Sequence, residues 1–261
     1  MARRELRTTF DAVADRYHAA RPRYPTALLD AVSDHVGSGG RVLEIGPATG
    51  IVTIDLAGRG HPVTAIELGA RLAEQARANT VGFDVTVVNT SFDTWEAPSA
   101  KTFDGVVAAT SWHWLDPDTR YQRAHHHLRP GGTLALWGTV HVVPDGGDQF
   151  FEELQEVYEA ISDGPFTPVT FPRPGEIRQI DDEIERSGLF DEVMVRHFDW
   201  EVVYDAEGYI RLLDTFSEII AMGGDARRHL YGEIRTRLAR RPDGLLRRHW
   251  GAALHLARAV A

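Results

Sequence analysis

The chain has 261 residues, of which 43% are hydrophobic and 25% charged, with a formal net charge of −10 and no cysteine. Such a composition fits a soluble globular chain and excludes a disordered segment, a collagen and a coiled coil. It also excludes disulfides, thiolate catalysis and cysteine-based metal sites. No apolar run reaches the roughly 20 residues needed to span a bilayer, so no membrane partner is expected. The opening MARRELRTTFDAVADRY has basic residues but no apolar stretch before a cleavage site, which points away from a secretory signal and toward a cytoplasmic location. The acidic balance argues against general nucleic-acid binding. Its distribution is uneven: residues 148–192 hold 13 acidic and 3 basic side chains, and residues 225–261 hold 9 arginines and 3 acids. The basic stretch reads as a solvated helix face packed near the acidic one, with anion binding as the alternative.

In chain order, FDAVADRYHAA spaces Phe10, Val13, Ala14 and Tyr17 as a helix, and the Arg21-Pro22 and Tyr24-Pro25 pairs break it. TALLDAVSDHV is a second helix with Thr26 as its expected N-cap. Alternation begins at residue 41. Strands are expected at RVLEI, PVTAIEL (62–68), VTVVNT (85–90), FDGVVAAT (103–110) and TLALWGT (133–139). IVTIDLAGRG, ARLAEQARA and DTRYQRAHHHL are the intervening helices, and LRPGG (128–132) is a turn. Strand–helix alternation at this spacing means βαβ units and a parallel sheet with helices on both faces. After residue 140 come an acidic helix (150–161), a proline-rich loop (164–175), a helix (176–189) and a strand (191–205). Helices near 206–222 and 225–240 follow. Residues 244–260 read as a strand in preference to a helix, antiparallel to 193–203. The whole chain, 1–261, reads as one α/β domain. Its core is about 36–140, 176–205 and 244–261, with segments 5–35, 145–175 and 206–240 capping the site.

Ligands of an open parallel sheet bind beyond the carboxyl ends of the strands, at the switch point. The first strand delivers Glu44-Ile45-Gly46-Pro47-Ala48-Thr49-Gly50 there, ahead of a helix N-terminus. Glu67 follows Gly46 by twenty-one residues and closes the second strand, where a carboxylate can accept two hydrogen bonds from a ribose diol. A dinucleotide fingerprint needs glycine at 48 and 51, which are Ala48 and Ile51, and no lysine lies near enough for a phosphate-binding Walker loop. The serine-hydrolase elbow is missing as well.

VLEIGPATG, the acid in TAIEL, FDGVVAATSWHWLD and LRPGGTLAL together resemble class I S-adenosylmethionine-dependent methyltransferases. The opening FDAVADRYHAARPRYP resembles small-molecule members of the trans-aconitate and ubiquinone-biosynthesis type. The resemblance covers about residues 10–140. It implies a Rossmann-like, seven-stranded, mostly parallel sheet with an antiparallel last strand, a helical cap, and S-adenosylmethionine as cofactor. It implies that Glu44 orients the loop or meets the methionine amine, and that Gly46, Pro47 and Gly50 shape the loop. Glu67 would hold the ribose, Leu68 would pack on adenine, and Thr110 would flank the methionine amine. The adenine contact after the third strand, often Asp in the family, falls on Ser91, with Phe92 placed to stack on the ring. Tyr17 and Arg21 would close over the methionine carboxylate. Ala48 stands where the family usually has glycine, which is tolerable at negative φ.

Methyl transfer needs mainly alignment, plus a base when the acceptor is an alcohol, phenol or carbon acid. His113 after the fourth strand and His141 after the fifth are the candidate bases. His125, His126 and His127 are consecutive on a helix, point in different directions and make no metal site. The expected function is methyl transfer to a small-molecule acceptor, through an O, N or C nucleophile, by a monomer or homodimer. The rivals are a cofactor-binding module or subunit without transfer, and other chemistry on the same cofactor, such as cyclisation. A nucleic-acid methyltransferase is weaker, because the (Asn/Asp)-Pro-Pro-(Tyr/Phe) motif is missing.

Overall fold

The computed structural model describes residues 18–99, 101–162 and 166–261. Tyr17 lies outside them. The elements are α1 (Thr26–Val36), β1 (Val42–Ile45), α2 (Ile51–Gly58), β2 (Val63–Glu67), α3 (Ala70–Asn79), β3 (Val85–Asn89) and β4 (Phe103–Ala109). A short 3-10 turn (Trp112–Trp114) leads to α4 (Arg120–His127) and β5 (Leu128–Val142). Then follow α5 (Phe150–Ala160), α6 (Asp181–Arg186), β6 (Phe190–Tyr204), α7 (Ala206–Leu213), α8 (Ser217–Ala221), α9 (Gly224–Ala239) and β7 (Leu246–Ala259).

The seven strands form one sheet in the order β3-β2-β1-β4-β5-β7-β6. Strands β1 to β5 pair in parallel, and β7 runs antiparallel between β5 and β6. The Rossmann-like architecture is the one the sequence implied, including the strand over 244–260. The chain order reverses at β1, whose neighbours are β2 and β4, so the switch point opens beside the end of β1.

The continuous apolar runs reflect burial on both faces. Val42, Val107, Ala135 and Trp137 pack with α1 and α2 through Leu28, Val32, Val52 and Leu56. Their alternate neighbours Leu43, Ile45, Val106, Ala108, Leu134 and Leu136 pack on the other face with Tyr121, Ala124 and Ile184. Helices α5, α7, α8 and α9 share a separate apolar cluster with Trp250 and Leu246 of β7. That cluster seats the cap on the end of the sheet.

Four local expectations change. Pro25, not Thr26, occupies the cap position of α1, and Thr26 is the first helical residue. The proline's φ of −56° and ψ of 137° are those of a cap, but its ring offers no acceptor. The LRPGG turn lies inside β5 as an irregularity: the pairing steps from Phe103↔Leu128 to Gly105↔Thr133, with Gly131 at φ +69°. Residues 176–180 are not helical. Ile177 packs with Val142 and Ala253 instead, and the Ile180 amide donates to His255 Nε2. The 206–222 helix breaks at Asp214–Phe216, where Thr215 Oγ1 donates to the Leu212 carbonyl.

The arginine-rich segment pairs with the acidic one. Arg241 forks onto both carboxylate oxygens of Asp148, and Arg237 reaches Glu156 at 3.3 Å. Arg235 pairs with Glu207. No helix among the described residues is long and apolar enough to cross a membrane.

Candidate active site

A cavity of about 560 Å³ opens at the switch point. Its floor is the β1 end and the loop after it, from Glu44 to Ala48. Glu67 and Leu68 wall it on the β2 side, with Thr90 and Phe92 beyond β3. Ala109, Thr110, Ser111 and His113 wall it on the β4 side, and Trp200, Trp250 and Phe216 lie under the cap.

Gly46 must be glycine. Its φ is +68°, and a Cβ there would sit 2.7 Å from the Ser111 Cβ. Ser111 lies close because its hydroxyl donates to the Ile45 carbonyl, which joins the loops after β1 and β4. Ala48 has φ +50°, not the negative φ that the sequence reading required. A non-glycine residue in that region costs about 1–2 kcal/mol, and here the Ala48 amide is held by Glu67 Oε2 at 3.0 Å. Gly50, at φ +86°, caps α2, and its amide closes a turn on the Pro47 carbonyl. It shapes the loop without lining the cavity.

Glu44 shares the face of β1 against which α2 packs. Thr53 Oγ1 of α2 donates to its Oε2 at 2.6 Å. Burial pushes its carboxyl up from 4.5 to about 7. The Thr53 hydrogen bond opposes this, and the negative charges of Glu67 and Asp55 add to it. A buried carboxylate of this kind gains from an incoming cation. Glu67 is 7% exposed, and its oxygens accept from two backbone amides, Ala48 at 3.0 Å and Gly69 at 2.8 Å. Asn89 Nδ2 donates to the Glu67 and Leu68 carbonyls and fixes the strand end from β3.

Thr110 lines the cavity at φ +57°, held by the Trp137 carbonyl through its amide and by the Tyr24 hydroxyl at 3.3 Å. Arg21 also lines it. Its Nη2 donates to the Thr215 carbonyl and its guanidinium lies 4.7 Å from the Phe216 ring centroid, which ties the N-terminal segment to the cap.

Two candidates are displaced. Ser91 does not line the cavity: its hydroxyl faces Asp93, at 3.2 Å from Oδ2, while Thr90 and Phe92 on either side do line it. His141 lies between the rings of Phe151 and Phe171, at 4.1 and 4.2 Å, away from the cavity. Burial pushes its pKa down to about 2, with help from the charges of Arg248 and His249. Such an imidazole is a poor base. The three consecutive histidines diverge: His125 meets the Val260 carbonyl, His126 lies near Glu96, and His127 packs on Trp95 and Phe92.

Trp114 and Phe216 also line the cavity. Phe150, Phe151 and Tyr209 build the cap core, and Trp112 packs on Tyr121. Sequence reasoning missed Tyr24, Trp200 and Trp250. The two tryptophans are directly paired across β6 and β7, and that register brings both under the cap.

Residues 42–132 match the model of a methyltransferase domain. An uncharacterised methyltransferase of Mycobacterium bovis is 26% identical over 245 residues, covering 92% of this chain and 90% of its own. The chain carries a class I S-adenosylmethionine-dependent methyltransferase domain. A ubiquinone biosynthesis O-methyltransferase of Xanthomonas axonopodis is 31% identical over 137 residues, 49% of this chain and 57% of its own. The fold agrees with a structure from Anaeromyxobacter dehalogenans provisionally termed a type II methyltransferase. Its TM-score is 0.64 at 22% identity, with 92% of this chain and 98% of that one covered. The donor set of this methyltransferase domain fits its cofactor: a buried carboxylate suited to an amine, a strand-end carboxylate suited to a diol, and apolar walls at Leu68 and Phe92 suited to a flat base.

Proposed function

We propose that the chain is a cytoplasmic enzyme that moves the methyl group of S-adenosylmethionine to a small molecule held between the sheet end and the cap. It acts as a monomer or homodimer, without nucleic acid or membrane. The supporting observation is that Glu44 and Glu67, at the ends of adjacent strands, open on the same cavity as His113 and the aromatic groups of the cap.

In this reading Glu44 receives the methionine amine, with Thr110 flanking it, and Arg21 faces the carboxylate. Glu67 takes the ribose hydroxyls, and Leu68 and Phe92 take the adenine. Gly46, Pro47 and Gly50 shape the loop, and Tyr17 joins Arg21. When bound, the cofactor supplies a methyl group already activated by the positive sulfur. The protein aligns the acceptor with it, which can supply much of the barrier reduction. His113 takes the proton of a hydroxyl, phenol or carbon-acid acceptor; a neutral amine or a carboxylate needs no base to attack.

Incubation with S-adenosylmethionine and a panel of small phenols, amines and acids is expected to release S-adenosylhomocysteine stoichiometrically with a methylated product, read by mass spectrometry. Tight cofactor binding without that product across the panel would favour the binding-module reading. Loss of cofactor without S-adenosylhomocysteine would favour other chemistry.

Glu44 makes the cofactor's affinity depend on pH. Its folded pKa, about 7, lies above its ordinary 4.5. Between these values the free protein stays protonated while the unfolded chain ionises. Stability therefore falls as pH rises through the window and is level above it. An ammonium beside Glu44 expels that proton on binding, so affinity for S-adenosylhomocysteine is expected to rise from about pH 5 to about pH 8 and then level off. Calorimetric titrations across this range should show the rise in wild type and a much flatter profile in Glu44→Gln. Identical profiles would remove Glu44 from the amine site.

A further inference from the structure

The strand order sorts the cavity lining into two halves. Phe92, Glu67 and Glu44 lie on the side of β3, β2 and β1, which the cofactor reading fills. Thr139, Trp250 and Trp200 belong to β5, β7 and β6, on the side left for the acceptor. Strand β4 lies between the halves. Neighbouring strands are about 4.8 Å apart, so a group passed from one half to the other crosses the end of β4. An amine at Glu44 and a ribose at Glu67 put the sulfur that links them close to the end of β1. Its methyl group then points across β4.

Two hydroxyl groups meet at that crossing. Thr110, the residue after β4, stands at φ +57° and lines the cavity. Tyr24, two residues before α1, lines it too, and its hydroxyl lies 3.3 Å from Thr110 Oγ1. The Tyr24 ring is fixed by two rings of the acceptor-side strands. It meets Trp137 of β5 edge-on, with 5.5 Å between ring centroids, and Trp200 of β6 at 6.2 Å. The neighbouring Ser111 hydroxyl is committed to the Ile45 carbonyl. A hydroxyl carries one proton and two lone pairs, so a bond between two of them uses one proton and one lone pair. The pair keeps more accepting than donating capacity. Acceptor oxygens beside a sulfonium favour its positive charge, and polarised C–H groups make weak hydrogen bonds to oxygen.

We propose that the Tyr24 and Thr110 hydroxyl groups contact the transferable methyl group of S-adenosylmethionine. They hold it toward the β5–β7–β6 half and distinguish the positively charged cofactor from its neutral product. Tyr24 is thereby a cofactor-binding and methyl-positioning residue, contributed by the segment before α1 and not by the sheet. It takes no proton in the transfer. The inference rests on the reading of Glu44 and Glu67 as the amine and ribose sites.

The test is a set of calorimetric titrations with S-adenosylmethionine, S-adenosylhomocysteine and sinefungin. All three share the nucleoside and amino-acid ends. The first carries a sulfonium methyl and the second a neutral sulfur. The third has an ammonium-bearing carbon in place of the methylated sulfur. Contacts at the two ends therefore cancel in the ratios of affinity. Tyr24→Phe keeps the ring and removes the hydroxyl. Its preference for S-adenosylmethionine over S-adenosylhomocysteine is expected to fall about threefold to fivefold relative to wild type. Its preference for sinefungin over S-adenosylhomocysteine should fall about tenfold or more, because an ammonium donates stronger hydrogen bonds. Affinity for S-adenosylhomocysteine itself should stay within about twofold, because the neutral sulfur offers these oxygens no methyl group or ammonium. Thr110→Val should shift both ratios in the same direction. A merely structural role would weaken all three ligands alike, so equal losses overturn the proposal, as do unchanged ratios in Tyr24→Phe. If Tyr24→Phe does not melt cooperatively, Thr110→Val decides by the same ratios. A folded wild type that binds none of the three removes the cofactor reading and this inference together. Binding with unaltered ratios in the variants removes this inference alone.

Discussion

Glu67→Ala is expected to weaken binding of S-adenosylhomocysteine by about 100-fold or more, equivalent to about 2.7 kcal/mol. Two losses act together. The ribose loses a charged acceptor, and hydrogen bonds to charged groups are worth about 1.5–3 kcal/mol. The glycine loop also loses its tether, because the Ala48 and Gly69 amides both donate to this carboxylate. The first tether matters most. Ala48 sits at φ +50°, and without the carboxylate nothing else described at this amide holds it there. Calorimetry on the folded variant reads the effect directly. Glu67→Gln separates the two contributions: one oxygen remains as acceptor and the charge is gone, so an intermediate loss is expected. Affinity within a few-fold of wild type in the alanine variant would show that the ribose lies elsewhere.

Gly46→Ala is expected to cost about 2–5 kcal/mol of stability, from about 1–2 kcal/mol for a left-handed non-glycine residue and about 1–3 kcal/mol for overpacking. The clash is with the Ser111 Cβ, at 2.7 Å, and neither side can retreat easily. Ser111 is tied to the Ile45 carbonyl, and Gly46 is tied through its amide to the Ile66 carbonyl. Urea titrations should show the loss as a lower midpoint. Relief would pry apart the loops after β1 and β4, so cofactor affinity falls as well. Ser111→Gly removes the clashing atom and should restore part of the midpoint in the double variant, whereas Ser111→Ala keeps that atom and should not. A Gly46→Ala protein as stable as wild type would contradict this packing.

These two positions were legible in the sequence because their signals are local. A glycine turn after a short apolar strand and an acid at the end of the next strand are close in the chain, and the parallel topology does the rest. The strands were legible for a similar reason: runs such as VLEI and GVVAA are buried on both faces and read as continuous apolar segments. Where sequence reasoning failed, the deciding contact was distant. Ser91 has the chain position for an adenine contact, yet its hydroxyl turns to Asp93. His141 follows a core strand, but the insert places Phe151 and Phe171 on either side of it. Trp200 and Trp250 are fifty residues apart and meet only through the β6–β7 register. Arg248 looked like one of many arginines. Only the tertiary arrangement shows that Arg241 and Arg247 find carboxylates, whereas among the described residues Arg248 forms no ion pair.

The most direct test of the account is a crystal structure of the chain with S-adenosylhomocysteine bound. The prediction places the ribose hydroxyls within hydrogen-bond distance of Glu67, the amine at Glu44 and the adenine against Leu68 and Phe92, with the sulfur turned toward His113 and the cap. A nucleoside bound away from the loop after β1, or with its ribose turned from Glu67, would contradict it.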